Sequence, residues 1–268
     1  MPLLPFQGTA LALSTDGLGA VSQKLGVHAP EVWTVLAVET TGCGFLPDLR
    51  PKILYERHIF HGLTGGKYDD GKISAPTQGG YGADGAHQYD RLALAIAKDR
   101  TAALQSCSWG IGQIMGENFS LAGFADIEQM VAAMSESEDR QLAAMGDFLI
   151  GSRLNVPLRA HDWTSFARGY NGPRYAVNRY DIQLNGEFQR LSAIGLPDLN
   201  VRAAQLYLTY LGFHPGSVDG VAGTRTLSAL ADFQTQRGLA QTNAIDADAL
   251  VQLSAATAGL ANAKTANS

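Results

Sequence analysis

Charge is sparse in this sequence. Asp, Glu, Lys and Arg make up 17% of its 268 residues, against roughly a quarter in a typical soluble domain. A basic excess is missing too. The net charge of −5 excludes the electrostatic footprint with which nucleic-acid-binding proteins grip phosphate. Any anionic polymer this chain recognises must be held by shaped grooves and hydrogen bonds. Cysteine is nearly absent: Cys43 and Cys107 are too few for a disulfide scaffold. His58 and His61 lie close together, but no third ligand follows at a regular offset. They read as solvated or capping histidines, and no metal or cofactor is expected. No apolar run approaches the length of a membrane-spanning helix. The opening MPLLPFQGTALALSTDG has no Lys or Arg before its apolar residues and is broken by Pro5, Gln7 and Gly8, unlike a secretory signal. The chain is therefore expected to be made in a cytoplasm, to need a separate exit factor if its substrate lies outside the inner membrane, and to be monomeric.

What is present is apolar and patterned. Apolar residues reach 46%, enough for two packed units in a chain of this length. Thr15 or Asp16 is placed to cap a first helix carrying Leu18, Val21 and Leu25, which Gly26 ends. Pro30 and Glu31 open a second helix through Val32, Val35, Leu36 and Glu39, stopped by Gly42 and Gly44. Residues 51–60 read as extended. Residues 61–86 read as a long irregular glycine-rich stretch holding Tyr68 and Tyr81, of a length that is often functional. Helical patterning returns at 88–105. A glycine-rich turn, SWGIGQIMG, follows at 108–116, then helices near 126–134, 138–152, 162–170 and 175–192. Gly195, Leu196 and Pro197 read as a linker between a unit at 1–195 and a smaller one at 196–268. The smaller unit has its own core and a tail expected to fray from Ala255.

Glu39 carries the chemistry. Its spacing from Val32, Val35 and Leu36 puts it on an apolar helix face. A carboxyl there loses hydration, and its raised pKa suits a general acid. Taken alone, it reads more readily as an ordinary solvated glutamate near a helix end. Three segments shift that weighting: SWGIGQIMG with Gln113, FARGYNGPRY with Tyr170, Asn171 and Tyr175, and the glycine-rich stretch as one wall of a long cleft. Trp109, Tyr170 and Tyr175 offer rings to stack on sugars.

A glutamate at a helix end, then G-x-Q-x-M, then Y-N-G resembles the motif order of the goose-type lysozyme and lytic transglycosylase superfamily. GFLPDLRPKILYERHIF, SWGIGQIMG and FARGYNGPRYAVNRYD look like the N-acetylmuramidase domain of endolysins from phages of Gram-negative bacteria, over about residues 16–192. The resemblance implies a mainly α fold, a lysozyme-like α+β catalytic domain with a small β element, and gives Glu39 the general-acid role. Thr40 stands where relatives often carry serine. For a second carboxylate the candidates are Glu56, Asp48 and Asp69, with Glu56 favoured; a structural ion pair is the alternative reading of Glu56.

Residues 198–253 resemble the type 1 peptidoglycan-binding domain through LGF, the Asp219-Gly220 turn, GTRT and FQTQRGL. That implies three helices that bind the wall, with Tyr207, Asp219 and Arg225 as candidate contacts. Cys43 and Cys107 flank the proposed site, either as two free thiols or as a pair formed after release into an oxidising compartment. The expected partner is bacterial peptidoglycan and the expected reaction is hydrolysis between N-acetylmuramic acid and N-acetylglucosamine. A lytic transglycosylase and a non-catalytic wall-binding protein are the alternatives.

Overall fold

The computed structural model describes residues 4–39 and 43–265, with side chains to residue 260. Thr40 and Gly42, which figured in the sequence reading, lie outside the described residues. Helix α1 (Thr15–Leu25) starts one residue earlier than expected. Ser14 is the cap, its Oγ accepting the Gly17 amide, and Gly26 at φ 68° closes the helix. Helix α2 (Ala29–Glu39) buries Val32, Trp33, Val35 and Leu36.

The extended segment expected at 51–60 divides. Strand β1 (Ile53–Tyr55) is short, and α3 (Arg57–Thr64) follows at once, with Glu56 extended at its N-cap. The helix expected at 88–105 also divides, into α4 (His87–Ile96) and α5 (Arg100–Gln105). Asp99 breaks it: its carboxylate takes the Ala102 amide at 2.9 Å and restarts the helix as an N-cap. Strands β2 (Cys107–Trp109) and β3 (Ile114–Met115) complete an antiparallel sheet in the order β1-β2-β3.

Helices α6 (Ile127–Glu136), α7 (Glu138–Gly151), α8 (Asn155–Arg159), α9 (Trp163–Asn171) and α10 (Tyr180–Ile194) follow, and the sheet packs against α4, α5 and α7. A large apolar cluster containing Leu36, Tyr55, Trp109, Met145 and Phe166 fills the space between them. No helix among the described residues is long and apolar enough to cross a membrane.

The C-terminal region is α11 (Leu199–Tyr210), α12 (Thr224–Gln236) and α13 (Ala247–Thr265). Gly223, not Thr224, caps α12. The tail expected to fray from Ala255 is helical as far as Thr265: α13 continues, with Thr257 4% exposed and its hydroxyl donating to the Leu253 carbonyl at 2.9 Å. The core of this region is not its own. Leu206, Leu208, Leu230, Phe233 and Leu253 share one apolar cluster with Ala10, Ala12, Cys43, Phe45 and Leu49. The three helices are thus clamped onto the N-terminal part of the chain, where the sequence suggested a simple linker. Cys43 and Cys107 are free and buried in different clusters, and burial pushes both thiols up from their ordinary range.

Candidate active site

Strand alternation decides what the sheet offers. Ile53 pairs with Trp109, and Trp109 with Ile114, so these three share one face, and all are buried. Leu54 pairs with Ser108, and Ser108 with Met115, on the other face. A cleft of ≈ 290 Å³ opens along β1, lined by Glu39, Lys52, Ile53, Leu54, Asp84 and Gln113 among others.

Glu39 is the last residue of α2. Burial is the main force raising its carboxyl pKa, opposed by a hydrogen bond from Asn171. The negative end of the α2 dipole acts in the same upward direction as burial. Asn171, the last residue of α9, donates Nδ2 to Glu39 Oε1 at 2.9 Å. The Asn171 Oδ1 is buried without a partner among the described residues, which leaves an acceptor beside the acid.

Gln113 stands in the β2–β3 turn at φ 47°, a left-handed conformation that costs a non-glycine residue energy and is concentrated at functional sites. Its Oε1 accepts from Ser108 Oγ at 2.8 Å and its Nε2 donates to the Gly110 carbonyl at 2.9 Å. Tyr170 does not present its phenol to the cleft. The hydroxyl donates to the Gly112 carbonyl at 2.5 Å, and the ring stacks on Phe166 with centroids 5.5 Å apart. Tyr170 therefore braces the turn that holds Gln113. Burial first, and then the Glu39 charge, push its hydroxyl well above the ordinary range.

Trp109 is a correction to the sequence reading. It is 0% exposed, and its indole N–H donates to the Leu104 carbonyl at 3.1 Å. No sugar can stack on it. Tyr175 is half-buried, with the Arg168 guanidinium 5.9 Å from its ring centre, and remains an available platform.

Glu56 is 9% exposed. It follows Leu54 by two in extended backbone, but like Asp48 and Asp69 it does not line the cleft that holds Glu39. Burial raises its pKa, while the His58 charge and a hydrogen bond with the Tyr81 hydroxyl pull it down. His58 Nδ1 approaches Glu56 Oε2 to 3.1 Å without hydrogen-bond alignment. Asp48 pairs with Arg50 at 2.7 Å, and Asp69 with His61 at 2.8 Å; neither lines the cleft.

The carboxylate that does share the cleft with Glu39 is Asp84, which the sequence reading passed over. Its loop is pinned by Gln88, 1% exposed. Gln88 donates Nε2 to the carbonyls of Tyr81 and Ala83 and accepts the Tyr55 amide at 3.0 Å. No local sequence signal marks Asp84, because the burial of Gln88 that fixes its loop is a property of the fold. Arg174 of the YNGPRY segment donates to Gln78 Oε1 at 2.6 Å, joining this loop to the opposite wall.

The candidate wall contacts separate. Tyr207 is 9% exposed, and its hydroxyl accepts the Ala12 amide at 3.4 Å, so most of its surface belongs to the joint between the two regions. It borders a larger groove of ≈ 660 Å³ between Ser14–Asp16 and helices α11 and α13. That groove brings a single carboxylate, Asp16, and no partner for acid–base chemistry. Asp219 is exposed, and its Oδ1 accepts from Gln205 Nε2 and the Val221 amide, both at 3.0 Å. Its role in the turn is structural. Arg225 is exposed beside a shallow pocket with Phe213 and His214.

A mainly helical body, a small antiparallel sheet flanking a cleft and a half-buried glutamate offered at a helix end define the lysozyme-like class of glycosidase. Within it, the chain belongs to the N-acetylmuramidase family, whose model matches residues 28–192. Residues 197–253 match the peptidoglycan binding domain. The crystal structure of the Burkholderia AP3 phage endolysin is similar, at 37% identity and a TM-score of 0.62, covering 71% of this chain and 72% of that one. No curated protein matches the chain.

Proposed function

We propose that this chain is a phage endolysin that hydrolyses the β-1,4 bond between N-acetylmuramic acid and N-acetylglucosamine in peptidoglycan. The observation that carries the reading is Glu39: a carboxyl whose pKa burial raises, at the edge of a cleft, in a domain matched by the muramidase family. Glu39 gives its proton to the glycosidic oxygen as the bond breaks. Asn171 fixes the carboxyl. Asp84, in the same cleft, takes the proton of the attacking water, and Lys52 and Gln113 border the sugar subsites with Tyr175 at their rim. Glu56, tied to Tyr81, holds the loop wall and acts less directly.

The C-terminal helices keep the enzyme on its substrate, with Arg225 as the exposed candidate contact. The protein acts as a monomer, made in the host cytoplasm and reaching the wall after a separate factor opens the membrane. Glu39→Gln is expected to abolish release of muropeptides with new reducing ends while leaving the fold and wall sedimentation intact. Near-parental release by that variant would refute the assignment, and 1,6-anhydro ends in the parent's products would convert it to a lytic transglycosylase.

A further inference from the structure

Glu138 and Arg202 form an ion pair that is 0% and 1% exposed, joining the first residue of α7 to α11 of the C-terminal region. Arg202 grips both carboxylate oxygens, one at 2.8 Å through Nη2 and the other through Nη1. The same carboxylate accepts the Leu13 amide at 2.9 Å and the Gly44 amide at 2.8 Å. Burial alone would raise the Glu138 pKa; the Arg202 charge and these hydrogen bonds outweigh it and hold the group ionised.

One turn along α7, Gln141 is also 0% exposed. Its Oε1 accepts the Ile111 amide at 2.7 Å, and its Nε2 donates to the carbonyls of Met134 at 2.7 Å and Gly44 at 3.4 Å. The fit is tight. A Cβ on Gly44 would lie 1.9 Å from Gln141 Oε1, and one on Gly110 2.6 Å from its Cδ. The start of α7 therefore holds two segments at once. Gly44 follows Glu39 by five residues, and Ile111 precedes Gln113 by two. The Arg202 guanidinium also lies 5.6 Å from the ring centre of Trp33, on the helix that ends in Glu39.

A buried carboxylate without a counter-charge is strongly destabilising. Here the counter-charge comes from the region matched by the wall-binding family. We infer that Arg202 is a positioning residue for the catalytic cleft: through Glu138 it sets the Gly44 segment and the first turn of α7, from which Gln141 holds Ile111, and so the C-terminal region completes the catalytic unit as well as binding the wall. This rests on the reading of Glu39 as the acid.

The test uses the full chain and soluble, peptide-stripped glycan oligomers. The double variant Glu138→Gln with Arg202→Met removes the pair without stranding a charge. It is expected to melt cooperatively and to sediment with walls like the parent. Its saturating turnover should fall on the order of tenfold to a hundredfold, the scale of an ångström-sized misplacement, with KM little changed. Arg202→Lys keeps the charge without the two-pronged grip and should recover part of kcat. A folded double variant with parental kcat, or one that loses wall binding instead of turnover, overturns the inference. If the double variant does not fold, Arg202→Lys decides: reduced kcat with normal sedimentation supports the inference, and parental kcat overturns it. Glu39→Gln runs in parallel, since turnover by that variant defeats the reading of Glu39 and not that of Arg202.

Discussion

Asn171→Ala separates the forces acting on Glu39. Burial pushes the carboxyl up, and the Asn171 amide, donating at 2.9 Å, pulls it down. A general acid works in its protonated form, so turnover falls as pH rises through its pKa. Removing the donor withdraws support from the ionised form alone. The pKa then rises, and the alkaline limb of the rate profile moves up with it. A hydrogen bond to a charged group is worth about 1.5–3 kcal/mol. Glu39 is only partly shielded from the open cleft, so the lower end applies. The alkaline limb is therefore expected to move upward. Muropeptide release followed across pH at saturating substrate measures it. The absolute rate falls as well, because the free Asn171 Oδ1 is lost, but the position of the limb is independent of that. Asn171→Asp, which sets a second carboxylate beside the first, should move the limb further in the same direction. A limb that stays put or moves down in Asn171→Ala refutes the assignment of that titration to Glu39.

Two further outcomes distinguish neighbouring residues. Asp84→Asn should lower kcat by about a hundredfold or more, the usual contribution of a positioned base, whereas Glu56→Gln should act mainly through the loop wall and cost less; the reverse ranking in a turbidity assay would make Glu56 the base. Trp109→Phe loses a buried N–H bond and leaves a cavity, for a loss of about 1–3 kcal/mol in denaturant unfolding, with KM for glycan oligomers unchanged; a large rise in KM would return Trp109 to the substrate.

Helix α2 and the segment that reaches it were legible because their signals are local. Apolar spacing along α2 put Glu39 on the inner face, and the Tyr-Asn-Gly turn ending α9 marked Asn171, which does reach it. Trp109 misled because a tryptophan among glycines suggests an open platform. Its register opposite Ile53 and Ile114 is a property of pairing, and the strands are too short to show alternation on their own. Tyr207 misled for a related reason: helical spacing cannot say which face of α11 meets a neighbouring region. The joint itself was the least legible feature. Glu138 and Arg202 are 64 residues apart, and a charged residue read in isolation is assigned to the surface. Only their mutual burial shows that each makes the other's position tenable.

The sealed thiols have a consequence of their own. Cys43 and Cys107 lie in separate cores, and burial keeps both protonated well past neutrality, so neither is a ready nucleophile for exchange. The covalent structure of the folded chain is therefore indifferent to the redox poise around it. A change from reducing to oxidising surroundings neither forms nor breaks a disulfide in the folded chain.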